Sequence, residues 1–215
     1  MYSLFGHAFL NLAFILYLVL YLPQIYHNAK YQAFHRMSFL MHMMLLQAYS
    51  CDLFYGISKH MPWQYLSVSF IGLSCLLTQH LQWFMFKLRQ EKLFDWRFLI
   101  CGILAVLIPF LLWFQFPHAI WQFKIQAWVS RALFLLHFVP QIIKYHQNKL
   151  KRDAISLSYL SLSISLSICD LLAALCLNWD LANQVGSFAS LALKLYLMYQ
   201  ITSKTLATAN PNYPF

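Results

Sequence analysis

Seven apolar stretches, each about the length of a bilayer crossing, take up nearly all of this chain. They cover residues 4–26, 39–57, 63–86, 98–116, 120–145, 155–177 and 181–203. A hydrocarbon core about 30 Å thick needs roughly 20 residues of helix to cross it. The gaps between the stretches are short and leave no room for a separate soluble domain. Only 10% of the residues are charged and 61% are hydrophobic, where a soluble domain carries about a quarter charged. A chain so poor in charge cannot cover its own surface in water. Lipid is the solvent that suits it, and the expected fold is an all-α membrane protein of seven transmembrane helices.

The sixth stretch carries a second pattern. Ser156-Leu157-Ser158-Tyr159-Leu160-Ser161-Leu162-Ser163 alternates like a strand. A lone strand in hydrocarbon leaves its backbone groups unpaired, so the reading is helix.

The formal charge of +9 is sorted by loop. When the gaps are labelled alternately, one side holds Lys30, Arg36, Lys87, Arg89, Lys92, Arg97, Lys144, Lys149, Lys151, Arg152 and Lys204, and the other only Lys59 and Lys124. The positive-inside rule places the first set in the cytoplasm, with the N-terminus outside and the C-terminus inside. Because the charge follows loop parity, nucleic acid is not an expected partner. The first apolar run has no basic residues before it and is too long for a signal-peptide core, so it reads as a true span. The five cysteines lie in spans without CxxC or Cys/His spacing. They read as packing residues, with no metal or cofactor implied.

The chain repeats itself. Tyr21-Leu22-Pro23-Gln24-Ile25 returns as Phe138-Val139-Pro140-Gln141-Ile142, 117 residues on. Cys51-Asp52-Leu53 returns as Cys169-Asp170-Leu171 at a shift of 118, and Gly72 as Gly186 at a shift of 114. At that last shift His80 falls on Lys194. The expected organisation is a first three-helix repeat (1–90), a linker helix containing Pro109 (91–118), a second three-helix repeat (119–204) and a cytoplasmic tail (205–215). An odd linker lets both triplets enter the membrane in the same direction, as parallel repeats with a ligand cavity between them.

Two Pro-Gln pairs near the cytoplasmic ends of helices one and five, in a 3+1+3 plan, resemble the PQ-loop family. That family includes the SWEET sugar transporters, cystinosin and the lysosomal and vacuolar cationic amino-acid exporters. The resemblance spans residues 4–203. It implies alternating-access or facilitated transport of a small polar solute, and a transporter rather than an enzyme. Asp52 and Asp170 are similar to a Gly-Asp element of the cationic amino-acid exporters, although the asparagine three residues later is Tyr55 or Ala173 here. Where cystinosin-like members carry a carboxylate in the last helix, this chain has Lys194. Asn183-Gln184-Val185-Gly186 is similar to an Asn-x-x-Gly element of SWEET proteins, with Ser69 at the equivalent place in helix three.

The polar residues inside the spans carry the chemistry. Proline removes a backbone donor and clashes with the preceding turn. A freed carbonyl in a membrane needs a partner, and the neighbouring amide of Gln24 or Gln141 can supply one. The Pro23-Gln24 and Pro140-Gln141 pairs therefore read as hinges, or as fixed kinks. Ionisable groups within spans are costly and usually functional. Ser156, Ser163, Ser167 and Asp170 share one helix face, as do His42, Tyr49 and Asp52. Asn183, Ser187, Ser190 and Lys194 form another face, with His80 at matching depth in the first half. Arg131 lies near mid-membrane and needs an anion, from Asp170, Asp52 or a solute. The candidate substrate-binding residues are thus Lys194, His80, Asn183, Asp170, Asp52 and Arg131. Such a set suits an amino acid or another carboxylate-bearing metabolite, with a sugar or a receptor for a peptide carboxylate as the alternatives. Proton coupling and oligomeric state stay open, as does the choice between a bacterial inner membrane and a lysosomal or vacuolar one.

Overall fold

The computed structural model describes residues 2–31, 37–61, 63–91, 96–116, 120–147, 155–178 and 181–209. They form the helices α1 (Tyr2–Val19), α2 (Leu22–Tyr31), α3 (Phe39–Ser58), α4 (Trp63–Glu91), α5 (Trp96–Gln115), α6 (Ile120–Leu136), α7 (Val139–Gln147), α8 (Leu157–Cys176) and α9 (Leu181–Ala209). No strand occurs among the described residues. Of the basic loop residues, Arg36, Lys92, Lys149, Lys151 and Arg152 lie outside them, as does the tail after residue 209.

Polarity is inverted relative to a soluble protein. Leu4, Phe70, Trp128 and Phe188 are largely exposed, while Gln24, Asn28, Gln122, Gln126 and Gln141 are buried. Large apolar side chains outside and amides inside suit a lipid surround, not water. Among the described residues, the helical runs Leu4–Tyr31, Trp96–Gln115 and Leu157–Cys176 are long and apolar enough to cross a membrane.

Each Pro-Gln pair breaks a rod in the same manner. Proline cannot accept a place above the carbonyl four residues back. For Pro23 that carbonyl belongs to Val19, and for Pro140 to Leu136. These are the last residues of α1 and α6. A short turn follows, and the chain restarts as α2 and α7 with the proline in the first turn, where its missing N–H costs nothing. Pro109 behaves differently and stays inside α5, where its carbonyl accepts from Gln126 Nε2 at 3.0 Å.

The serine-rich segment is helical from Leu157 onwards. Ser156 is the N-cap of α8 and accepts from the Tyr159 amide, as Ser38 caps α3 and accepts from the Met41 amide. Side-chain capping outcompetes the alternating pattern because it satisfies helix donors that lipid cannot.

Helix contacts come in matched pairs. α1 packs on α8 as α6 packs on α3. α3 packs on α4 as α8 packs on α9, and α1 touches α4 as α6 touches α9. Exchanging the two halves of the chain maps each contact onto its mate. α5 has no mate and packs chiefly on α3.

Candidate functional site

The prolines bring the glutamines beside them to the junction of the halves. Gln24 Oε1 accepts from the Ser156 amide at 2.8 Å, and Gln141 Oε1 accepts from the Ser38 amide at 2.6 Å. Each glutamine therefore reaches the first residues of a helix in the opposite half. The expected partner was the carbonyl freed within the same helix. That carbonyl would need the amide nitrogen as donor, which in Gln24 bonds Asn28 Oδ1 at 2.8 Å; the amide oxygen is a separate group and serves the helix start, whose N–H groups have no intrahelical acceptor. Lys144 adds to this end of the bundle, donating to the Met37 carbonyl at 2.6 Å.

One layer further in, three buried tyrosines close the middle of the bundle. Tyr21 donates to the Tyr49 hydroxyl at 3.1 Å. The Tyr21 ring lies 5.9 Å from that of Tyr49 and 5.6 Å from that of Tyr159. On the far side of this plug from the glutamines opens a cavity of about 270 Å³. α1, α3, α6, α8 and α9 contribute to its lining, together with the turn residues Tyr21 and His137. α4, which the sequence pattern places on the wall, contributes none of the lining side chains.

Lys194 lies in the cavity wall, 7% exposed. Its ammonium donates to Ser167 Oγ at 2.5 Å and to the Ser163 carbonyl at 3.3 Å. A lysine has three N–H donors, so one remains for a ligand. Asp170 lines the same cavity beside the Tyr17 hydroxyl and interacts electrostatically with Lys194. Arg131 is exposed within it. His137 also lines it, with Nδ1 donating to the Phe134 carbonyl at 2.7 Å. Lys194 thus interacts with the Asp170 carboxylate, while Arg131, on the same cavity wall, interacts with Asp52, in a low-dielectric surround where a charge is strongly felt.

The cavity, which both halves line, extends to Gly186 and not to Gly72 for a steric reason. In the first half a methyl group at Gly72 would run into the Tyr49 ring, so ring and glycine fill that space together. At the mate positions Ser167 replaces Tyr49, and Gly186 has nothing within 4 Å of where a Cβ would stand. Leu45, Leu73 and Leu76 correspond to Ser163, Ser187 and Ser190, all three of which line the cavity.

The other candidates sit elsewhere. Asp52, mate of Asp170, is not in the cavity wall; Tyr65, Ser69 at 2.5 Å and Ser130 at 3.3 Å all donate to its carboxylate. Those hydroxyls come from α4 and α6, so the carboxylate joins three helices. His80 packs against α3 and α5. Its ring stacks on Phe98 at 4.3 Å and on His42, whose Nε2 lies 3.3 Å from His80 Nδ1. Gly102 leaves the room this ring occupies, since a Cβ there would meet His80. Asn183 lies in α9, and its side chain falls outside the described set. Lys194, Asp170 and Arg131 therefore line one cavity; Asp52 stays outside its wall but interacts with Arg131, and His80 lies elsewhere. The sequence pattern did not single out Tyr17, Tyr21, Tyr159 or His137. A usable signal was present at the end of the first span, where Tyr17 and Tyr21 are four apart, shortly before Pro23. All five cysteines are free.

Inverted polarity, spanning helices and a charged cavity define an all-α integral membrane protein. Residues 5–65 match the PQ loop repeat, a repeat found in membrane transporters and exporters, whose families are typically transporters rather than enzymes. No curated protein matches the chain.

Proposed function

We propose that this chain is a membrane carrier for a small polar solute bearing a carboxylate, most simply an amino acid, working by alternating access. In this reading two parallel three-helix repeats, 1–90 and 119–204, are joined by the linker around α5, with the N-terminus outside and the C-terminus in the cytoplasm. The observation that carries it is the cavity whose wall holds Lys194, paired with Asp170, and also Arg131. A carboxylate fits the spare donor of Lys194, and an ammonium group fits Asp170. A neutral sugar would use neither charge, so nothing in it would answer the spare donor of Lys194 or the Asp170 carboxylate.

The glutamine contacts supply the other half of the argument. They tie the basic ends of the halves together while the cavity opens on the far side of the tyrosine plug. This is the arrangement of a carrier closed on one side, and breaking two symmetry-related contacts would open it. Reconstitution of the pure chain into proteoliposomes tests the reading. Uptake or exchange is expected for at least one amino acid or carboxylate in a panel that also contains sugars. Uptake of sugars alone would replace the substrate assignment, and no flux for any solute would remove the carrier reading.

A further inference from the structure

The filled half of the molecule is a template for what the open half holds. The Tyr49 ring lies against Gly72, meets Phe134 edge-on at 4.7 Å and 87°, and ends in a hydroxyl bonded to Tyr21. The mates of these partners are Gly186, Tyr17 and Phe138. Gly186 and Tyr17 line the cavity, and the space that Tyr49 occupies in the first half is vacated by Ser167 in the second. A ring placed there would rest on the bare face of Gly186 and meet Tyr17 as Tyr49 meets Phe134. Edge-to-face geometry of this kind favours an aromatic ring over a saturated one of equal size. At the polar end of the template the Tyr21 hydroxyl is replaced by Phe138, and the Lys194 ammonium lies 6.0 Å from that ring. The end of the bound molecule thus meets a cation where Tyr49 meets a hydroxyl. An apolar cavity of about 150 Å³ suffices for a benzene ring, and the 270 Å³ here leaves room for a polar group beside it.

We propose that the cavity selects a solute with a planar six-membered ring and an anionic oxygen, of the class of aromatic amino acids or arylcarboxylates. The ring lies on Gly186 and the carboxylate reaches Lys194. This deepens the carrier reading and rests on it.

Ligand-induced thermal shift on the full chain in detergent tests the proposal, with L-phenylalanine, L-tyrosine, phenylacetate, L-alanine and glucose as probes. The ring-bearing carboxylates are expected to bind roughly tenfold tighter than L-alanine, the margin that burying and stacking one ring supplies. Two variants place a side chain in the ring's position: Gly186→Leu, into open space, and Ser167→Tyr, which rebuilds the first half's own packing. Both are expected to keep a cooperative melt and to lose the preference for rings. If L-alanine binds as well as the aromatic probes, or both folded variants retain the aromatic preference, the ring site is overturned while the carrier reading stands. If proteoliposomes move none of the five probes and none shifts the melt, both readings fall together.

Discussion

Gln141 accepts the backbone N–H of Ser38 across 103 positions of sequence, at 2.6 Å. Removing the acceptor strands a buried amide, which costs about 1–3 kcal/mol. Gln141→Ala and Gln24→Ala should each lower stability by about that amount, and the double variant by about their sum, because the sites are separate. Thermal unfolding in one detergent reads the loss. A thiol placed at Leu45 by Leu45→Cys, beside the tyrosine plug, should also react faster from the basic side when the glutamines are removed. Unchanged melting and unchanged labelling would mean that these contacts do not hold the halves shut.

The two repeated aspartates should answer differently to the same substitution. Asp52→Asn disturbs a carboxylate that accepts from three hydroxyls on two other helices. It should lower stability by about 1–3 kcal/mol and leave solute affinity within roughly twofold, less than half a kcal/mol. Asp170→Asn should lower affinity for a zwitterion by about tenfold or more. Isothermal titration beside thermal melting separates the two effects. An equal loss of affinity in both variants would return Asp52 to the binding site.

Lys194 and Asp170 interact in the same cavity wall. Removing one leaves a buried charge without its counterpart, so Lys194→Met and Asp170→Asn should each destabilise more than the pair together. The cycle is expected to give a coupling of about 0.5–3 kcal/mol. Strict additivity of the two melts would show that each charge is balanced by other groups.

Gly72 and Gly186 occupy matching places and should respond with opposite signs. Gly72→Ala drives a methyl into the Tyr49 ring, and overpacking of that kind costs about 1–3 kcal/mol. Gly186→Ala meets open space, and an alanine in a helix interior is worth about 0.5–1 kcal/mol over glycine. Equilibrium unfolding of the two variants side by side decides it. A loss at both sites would indicate that the second half closes on Gly186 as the first closes on Gly72.

Much of this was legible in the residues. The apolar stretches marked seven helical segments whose described ends differ from the reading by a few residues at most sites. The helix that carries Pro140 starts at Val139, and the helix that carries Pro23 runs on to Tyr31. Spacing also placed Ser163, Ser167 and Asp170 on one face, and Ser187, Ser190 and Lys194 on another, and these residues line one cavity. What spacing could not convey was which half stays open. His80 and Lys194 sit at equal depth in the repeat, yet Gly102 on α5 gives the histidine a slot that has no counterpart in the second half. The glutamine partners were hidden for a related reason. A contact between Gln24 and Ser156 joins positions 132 apart, and nothing local to either announces it.

The cavity is lined by mate positions that carry different residues, Tyr49 with Ser167 and Leu45 with Ser163, and this has one more consequence. Two identical copies of a three-helix unit, meeting as separate chains, must obey their symmetry and offer either one site on the axis or two equal sites beside it. Joining the copies through α5 lifts that obligation. Tyr49 and Ser167 are free to differ, so a wall filled by a ring faces one that is hollowed. A chamber whose two walls differ in this way offers different surfaces to the two ends of a bound solute, so a chain of this design can distinguish the two ends, and the two hands, of the molecule it binds.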